Sequence, residues 1–228
     1  MICVIMEDEV LYILSRRKFF KKDIGTIRAS IDMKHIILAS ASPRRREILA
    51  SLGVPFTVRV SDADEHSDAC DPALFAEELA TAKGLAVWHS LAESEKTPET
   101  VVLSADTVVV CDGRILGKPT SEDDARQMLT TLRGRAHHVI TGVCVTVGGV
   151  AHAAHSDTLV RVSDIPDEAI ARYVASGDPM DKAGAYGIQG AFSRWIEGID
   201  GCYFGVVGLP VHVLAELYLH VVGEELYS

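Results

Sequence analysis

An anion-binding pattern lies where the first predicted strand meets the first predicted helix. The segment reads Ser40-Ala41-Ser42-Pro43-Arg44-Arg45-Arg46, in which Ser42 suits an N-cap and Pro43 a first helical position. Backbone N–H groups at a helix start attract anions, and adjacent arginines add bidentate donors. The segment predicts either a cradle for a phosphate chain or a capped helix with solvated arginines. Because three consecutive arginines cannot share one side of a helix, we expect one to face solvent.

A carboxylate interrupts the strongest predicted strand, the β-branched run from Val101 to Val110. Asp106 lies in Ser104-Ala105-Asp106-Thr107, where burial of its charge is costly unless the carboxylate is paired or binds a cation. At the edge of a cleft it could bind Mg²⁺ or remove a proton from water. The alternative is an outward-facing Asp on an alternating strand.

Three further segments carry polar side chains that could contact a nucleotide. Lys118, held between Gly117 and Pro119 after a predicted hairpin, could reach a phosphate or be solvated. Gln189 lies in the Gly-rich stretch 182–190, where its amide could read a base edge, hold a water or belong to a buried turn. Asp62-Ala63-Asp64-Glu65 and Lys83 are additional acidic and basic candidates, although such an acidic run is commonly a solvated turn.

The elements that must position these side chains alternate between strands and helices. The predicted strands are 35–39, 56–60, 101–110, 114–116, 136–147 and 150–162, and the predicted helices are 44–52, 72–91, 121–132, 166–175 and 210–221. Gly148-Gly149 predicts a hairpin between the two longest strands, and a last hairpin is expected between 191–196 and 202–206. The pattern indicates an α/β fold with a mixed sheet and helices packed on it.

Charge and composition narrow the classes of function. The net charge of −10 argues against a general nucleic-acid binder, although a few converging Arg and Lys residues with a divalent cation could hold a small anion. No apolar run reaches the roughly 18 residues that a membrane span needs. Five scattered cysteines without a CxxC pair favour reduced thiols in a cytoplasmic protein over a disulfide framework or a zinc site.

The first 34 residues differ from the rest of the chain. They carry seven basic and five acidic side chains, a net of +2 that leaves −12 for the remainder. Met33 directly precedes the predicted first strand. We therefore expect Met33 to be the natural initiator and residues 1–32 to be an extension outside the native protein, which N-terminal mass analysis of the native protein tests. The expected division of the chain is an extension of uncertain relevance at 1–34 and the folded domain at 35–228.

Taken together, the segments resemble the Maf family, also called septum formation inhibitor Maf, over about residues 35–221. The matching residues are Leu38-Ala39-Ser40-Ala41-Ser42-Pro43-Arg44-Arg45, Asp64-Glu65, Lys83, Ala105-Asp106-Thr107, Gly117-Lys118-Pro119, Tyr173-Val174-Ala175-Ser176-Gly177, the stretch Asp181 to Gly190, and Val207-Gly208-Leu209-Pro210. The resemblance is specific because many motifs recur in order.

This resemblance implies an elongated mixed sheet with two lobes around a central cleft. It also implies hydrolysis of a nucleoside triphosphate between the α and β phosphates, with Mg²⁺ or Mn²⁺. The positions it implies are Ser42, Arg44, Arg45 and Thr107 for the substrate, Glu65 and Asp106 for the metal and the water, Lys83 and Lys118 for charge on the phosphates, and Gln189 for placing substrate or water.

Within the family, the segment Asp-Lys-Ala-Gly-Ala-Tyr-Gly-Ile-Gln-Gly resembles the branch that acts on dTTP and UTP. The branch that acts on 7-methyl-GTP has a Cys-Ala-Gly-Ser-type segment there. The expected function is hydrolysis of dTTP, UTP and modified pyrimidine nucleotides as a housecleaning activity. The same chemistry on another nucleotide and a non-catalytic regulator of cell division are the alternatives. Because Glu65 and Asp106 would repel a polyanion unless a cation bridges them, they favour the enzyme. A homodimer is also implied.

Overall fold

The computed structural model describes residues 34–64 and 66–227. Its contacts divide the chain into two units, Met1–Lys34 and His35–Ser228, and the second unit is the one described below. Residues 1–33, including the expected initiator Met33, lie outside the described residues, as does Glu65. In the part of the chain that is described, no helix has the length and apolar character needed to cross a membrane.

Seven strands and six helices follow one another in the described residues of the second unit. The strands are β1 (His35–Leu38), β2 (Phe56–Val58), β3 (Thr100–Cys111), β4 (Arg114–Leu116), β5 (Ala136–Val147), β6 (Val150–Val162) and β7 (Ile196–Asp200). The helices are α1 (Pro43–Ser51), α2 (Pro72–Ser90), α3 (Glu122–Leu132), α4 (Asp167–Ala175), α5 (Tyr203–Val207) and α6 (Val211–Val222). Short 3₁₀ turns occupy Glu93–Glu95, Asp178–Asp181, Ala183–Ala185 and Gly190–Trp195.

The strands form one mixed sheet in the order β2-β1-β3-β5-β6-β7, with β4 paired to β3. β1 is parallel to both of its neighbours, and the other pairs are antiparallel. β1 pairs with β3 only as far as Leu103, and β4 begins to pair at Val109. Between these two points, residues 104–108 form an open edge of β3. The mixed α/β sheet confirms the predicted fold class.

Helix α2 covers one face of the sheet at unusually short range. Ser104 donates a hydrogen bond from Oγ to the carbonyl of Ala80 at 2.6 Å. A Cβ atom built on Gly142 would lie 2.3 Å from the carbonyl oxygen of Ala76, and one built on Gly84 would lie 2.8 Å from Ser104 Oγ. Two glycines, one on the sheet and one on the helix, therefore permit the close approach of α2 to β3 and β5.

The opposite face carries two separate hydrophobic clusters. The first joins β1, the start of β3 and helix α6, and includes Leu38, Leu103, Ala105, Val143, Leu214 and Tyr218. The second joins the end of β3 to helices α3 and α4, and includes Val109, Leu129, Val139, Ile170, Val174 and Phe192. The directly paired Thr107 and Thr141 lie between the two clusters along β3 and β5. This polar strip separates two lobes, as the family resemblance implies.

One predicted element is wrong. The expected hairpin between 191–196 and 202–206 does not form, because Ile196–Asp200 is β7 and pairs with β6 instead. The segment after Gly201 becomes helix α5, whose start is capped by Cys202 Sγ accepting from the N–H of Gly205 at 3.3 Å. The hairpin predicted at Gly148-Gly149 is confirmed, with every residue of β5 paired to β6.

Candidate active site

A cleft of about 340 Å³ opens where β1 ends and the edge of β3 is uncovered. The carboxyl end of a strand whose two neighbours diverge is a common ligand-binding position in α/β sheets. The described residues to which the family resemblance gives a role all line this one cleft: Ser42, Arg44, Arg45, Lys83, Asp106, Thr107, Lys118 and Gln189. The further acidic candidates Asp62 and Asp64 are not among its lining residues. The structure therefore brings together segments that are far apart in sequence. The placement of Glu65 lies outside the described residues.

Asp106 and Lys83 form an ion pair at the margin of the cleft. Lys83 Nζ lies 2.5 Å from Asp106 Oδ1, and the two side chains are 12% and 13% exposed. Asp106 is thus not an outward-facing strand residue, because it points to the face that α2 covers. The pairing offsets the cost of removing the carboxylate from water. Lys83 reaches Asp106 because Gly84 and Gly142 allow α2 to lie against the sheet.

The start of helix α1 has the predicted cap. Ser42 Oγ accepts a hydrogen bond from the backbone N–H of Arg45 at 3.5 Å, and Pro43 begins the helix. Arg44 extends to the far wall of the cleft, where Nη1 lies 3.3 Å from Asp181 Oδ2. Arg46 is exposed and does not line the cleft, which confirms that one of the three arginines faces solvent.

Arg45 joins three segments of the cleft wall. Its Nε donates to the carbonyl of Gly208 at 2.7 Å, Nη1 donates to Ser40 Oγ at 3.4 Å, and Nη2 donates to Thr107 Oγ1 at 3.2 Å. At least three of its five donors are therefore directed at protein oxygens. The alternative of a solvated arginine is wrong at this position, and Arg45 shapes the wall as well as carrying charge.

The two glycine-containing loops support each other. The backbone N–H of Gly184 donates to the carbonyl of Gly117 at 3.0 Å, which fixes the turn that carries Lys118. Gly184 has a φ of +66°, and a Cβ there would lie 2.9 Å from the side chain of Val109, so the position requires glycine. Gln189 precedes the 3₁₀ turn Gly190–Trp195 and is exposed. Lys118 is also exposed, so both side chains can meet a ligand.

An ionic network that the sequence argument missed lies along the far wall. Lys182 Nζ contacts Asp181 Oδ1 at 2.7 Å, Asp178 Oδ1 at 3.1 Å and the carbonyl of Asp178. Partial burial raises the pKa of Asp181, but its hydrogen bond and charge interaction with Lys182, aided by Arg44, outweigh burial and lower that pKa below its usual range. The position of these charged residues next to the Gly-rich stretch is the sequence feature from which the network could have been predicted.

A buried His–Tyr pair anchors the loop that carries Gln189. His137 Nε2 lies 2.7 Å from Tyr186 Oη, and Tyr186 lines the cleft. Burial, followed by the charge of His138, lowers the pKa of His137 to about 4, and burial raises the pKa of Tyr186. Both rings are therefore neutral near pH 7 and pack edge to face, with centroids 5.4 Å apart.

The charges of the cleft suit a polyanion accompanied by a cation. The described lining includes five cationic side chains, Arg44, Arg45, Lys83, Lys118 and Lys182, against the carboxylates of Asp106 and Asp181. Within residues 34–64 and 66–227, no three His, Cys, Asp or Glu side chains are grouped as metal ligands. A single carboxylate such as Asp106, completed by phosphate oxygens and water, fits Mg²⁺, which is usually bound in this way.

Comparisons with known proteins agree over most of the chain. Residues 35–221 match the family model described as Maf-like protein. A relative from Symbiobacterium thermophilum named dTTP/UTP pyrophosphatase is 48% identical over 181 residues, covering 79% of this chain and 90% of the relative. A protein of the same name from Moorella thermoacetica is 48% identical over 188 residues, covering 81% and 94%. Another from Koribacter versatilis is 48% identical over 177 residues, covering 77% and 89%.

Proposed function

This chain belongs to the Maf-like protein family, and we propose on that premise that it hydrolyses dTTP and UTP to the nucleoside monophosphate and pyrophosphate. Relatives that are identical to it at nearly half of the aligned residues carry the name dTTP/UTP pyrophosphatase. The observation that carries the proposal is the half-buried pair of Asp106 and Lys83 at the edge of a cleft rich in Arg and Lys. This arrangement places one carboxylate beside a site that attracts phosphates.

The phosphate chain would lie against the start of helix α1. There, the positive end of the helix dipole and the hydroxyl of Ser42 meet the guanidinium of Arg44, which suits bidentate contact with phosphate oxygens. Lys118 would approach from the turn fixed by Gly117 and Gly184. Arg45 would add charge while holding Gly208 and Thr107 in place.

A divalent cation, Mg²⁺ or Mn²⁺, would be held by Asp106 together with the phosphates, and Glu65 is a further proposed ligand outside the described residues. When bound, such an ion polarises phosphoryl oxygens and lowers the pKa of coordinated water. It would also remove the repulsion between Asp106 and the triphosphate. The ion would thereby let a carboxylate and a polyanion share one cleft.

In the reaction itself, Asp106 would orient a water molecule and accept its proton as the water attacks the α phosphorus. Lys83 fixes one carboxylate oxygen through its 2.5 Å contact, and the second oxygen of the carboxylate can accept the proton. As the bond between the α and β phosphates breaks, negative charge grows on the departing pyrophosphate. Lys83 and Lys118 would stabilise that charge, and Gln189 would position the nucleotide or the water.

The direct test is pyrophosphate release from a panel of canonical and modified nucleoside triphosphates, including 7-methyl-GTP, with Mg²⁺, with Mn²⁺ and with EDTA. We expect release from dTTP and UTP that EDTA abolishes. Asp106→Asn should remove turnover without unfolding, since the amide keeps the size of the side chain but cannot act as a base. Absence of release from every nucleotide by folded protein would leave the non-catalytic regulator as the better hypothesis. The homodimer and the cytoplasmic location stay predictions.

A further inference from the structure

A chain of hydrogen bonds crosses the polar strip between the two lobes. Arg45 Nη2 lies 3.2 Å from Thr107 Oγ1, which lies 2.9 Å from Thr141 Oγ1, which lies 2.8 Å from the carbonyl oxygen of Gly205. Thr141 is fully buried, whereas Thr107 is half-buried and lines the cleft. The chain therefore runs from the interior to a surface that a nucleotide would touch.

The two ends of this chain fix its direction. A carbonyl oxygen only accepts, so Thr141 must give its one hydroxyl proton to Gly205. Thr141 must then accept from Thr107, which gives up its own single proton in that bond. Arginine only donates, so it occupies one of the two lone pairs of Thr107. What Thr107 can offer a ligand is its second lone pair.

Because Thr107 Oγ1 can only accept a further hydrogen bond, it restricts which group of a ligand can lie against it. Phosphate oxygens are acceptors near neutral pH, so Thr107 cannot make a hydrogen bond to the triphosphate without breaking the chain. The ligand group must instead donate an N–H or an O–H. The 3′-hydroxyl is common to all the usual nucleotides, and the 2′-hydroxyl is absent from dTTP. The donor that dTTP and UTP share and that cytosine nucleotides lack is the imide N3–H of the base.

We propose that Thr141 is a specificity-determining residue, which acts by holding the Thr107 hydroxyl as an acceptor for the imide N3–H of thymine or uracil. Cytosine has an unprotonated N3 at the corresponding position, so two acceptors would face each other and CTP would be disfavoured. This inference rests on the proposed function and names how its substrate class is recognised. Thr141 touches no substrate, and its effect passes through Thr107.

The test is the ratio of kcat/KM for UTP to that for CTP in the full chain and in two variants. Thr141→Val keeps the shape of the side chain but removes the hydroxyl, so that Thr107 can turn its proton toward cytosine N3. We expect the UTP to CTP ratio to fall by about tenfold or more, because Thr107 would lose its hydrogen bond with UTP and gain one with CTP. Thr141→Ser, the matched control, should keep the ratio of the unmodified protein.

A second measurement needs no variant and does not depend on the folding of Thr141→Val. N3-methyl-UTP, which lacks the imide hydrogen, should be turned over at least about tenfold less efficiently than UTP by the unmodified protein. Equal efficiency with the two nucleotides would overturn the inference, as would an unchanged UTP to CTP ratio in active Thr141→Val. Failure of the unmodified protein to hydrolyse dTTP and UTP would instead count against the proposed function.

Discussion

Gly142 provides a sharp test of how the sheet positions the ion pair of Asp106 and Lys83, to which the proposal assigns the chemical step. It lies on β5 directly opposite Asp106, and helix α2 passes over it. A methyl group there would come within 2.3 Å of the carbonyl oxygen of Ala76, whereas real Cβ atoms essentially never come closer than 3.0 Å. In Gly142→Ala, α2 must therefore move outward by at least about 0.7 Å at Ala76, the difference between those two distances.

The movement of α2 acts on both stability and chemistry. Overpacking of this kind costs about 1–3 kcal/mol in the free energy of unfolding. Lys83 belongs to the same helix, and in the unmodified protein its Nζ lies 2.5 Å from Asp106 Oδ1. Displacement of α2 therefore weakens the contact that orients the carboxylate. Because misplacement by about 1 Å can cost about a hundredfold in rate, we expect kcat to fall by between ten and a hundredfold.

The assay is kcat and KM for dTTP, measured together with the free energy of unfolding. We expect KM to change little, because Ser42, Arg44 and Lys118, which are assigned to the phosphates, do not belong to α2. Gly84→Ala is the graded comparison, since its methyl would meet the hydroxyls of Ser104 and Thr146 rather than backbone, and its loss should be smaller. A folded Gly142→Ala protein with unaltered kcat would show that the close approach of α2 does not control the orientation of the Asp106 carboxylate.

Further predictions concern the phosphate cradle, the loop anchor and the buried histidine. Arg44→Ala should raise KM for dTTP more than it lowers kcat, and an unchanged KM would place Arg44 outside the substrate contacts. Tyr186→Phe should lower the free energy of unfolding by about 1 kcal/mol, measured by denaturant titration, because it removes the bond to His137. The pKa of His137 is lowered from 6.5 to about 4, so stability from its neutral form is complete above pH 6.5 and is lost as pH falls toward 4. We expect this to remove up to about 3 kcal/mol, and a His137→Phe protein with the same acid dependence would contradict it.

The sequence was sufficient for features that depend on neighbouring residues. Ser42 and Pro43 predicted the start of helix α1, and the adjacent arginines predicted that one would face solvent, as Arg46 does. The β-branched run from Val101 to Val110 predicted strand β3, and Gly148-Gly149 predicted the hairpin of β5 and β6. Such features are set within a few residues by capping geometry and side-chain period, so they can be inferred without knowledge of the tertiary fold.

Features that depend on strand register and on helix packing could not be predicted in the same way. Lys83 and Asp106 were both candidates, but their pairing requires α2 to approach the sheet where Gly84 and Gly142 permit it. The wrong hairpin near the end of the chain has a similar origin. The residues expected to form its turn belong to strand β7, which pairs with β6, and the segment after Gly201 forms helix α5. This outcome is decided by tertiary pairing.

The alternation of β3 explains how one cleft can contain two separable functions. Asp106 and Thr107 are consecutive, so their side chains leave opposite faces of the sheet. Both line the cleft because the edge of β3 is uncovered between Leu103 and Val109. The face of Asp106, covered by α2, should govern the chemical step, and the face of Thr107, which meets Arg45 and Thr141, should govern the choice of nucleotide.

Variants on the two faces should therefore differ in kind. Gly142→Ala, on the side of α2, should lower kcat for UTP and CTP by the same factor, because it disturbs the carboxylate that both nucleotides use. Thr141→Val, on the other side, should change the ratio between the two nucleotides while the better substrate keeps most of its kcat. If each variant altered both quantities to a similar extent, the two faces would act as one unit, and recognition could not be assigned to the Thr107 side alone.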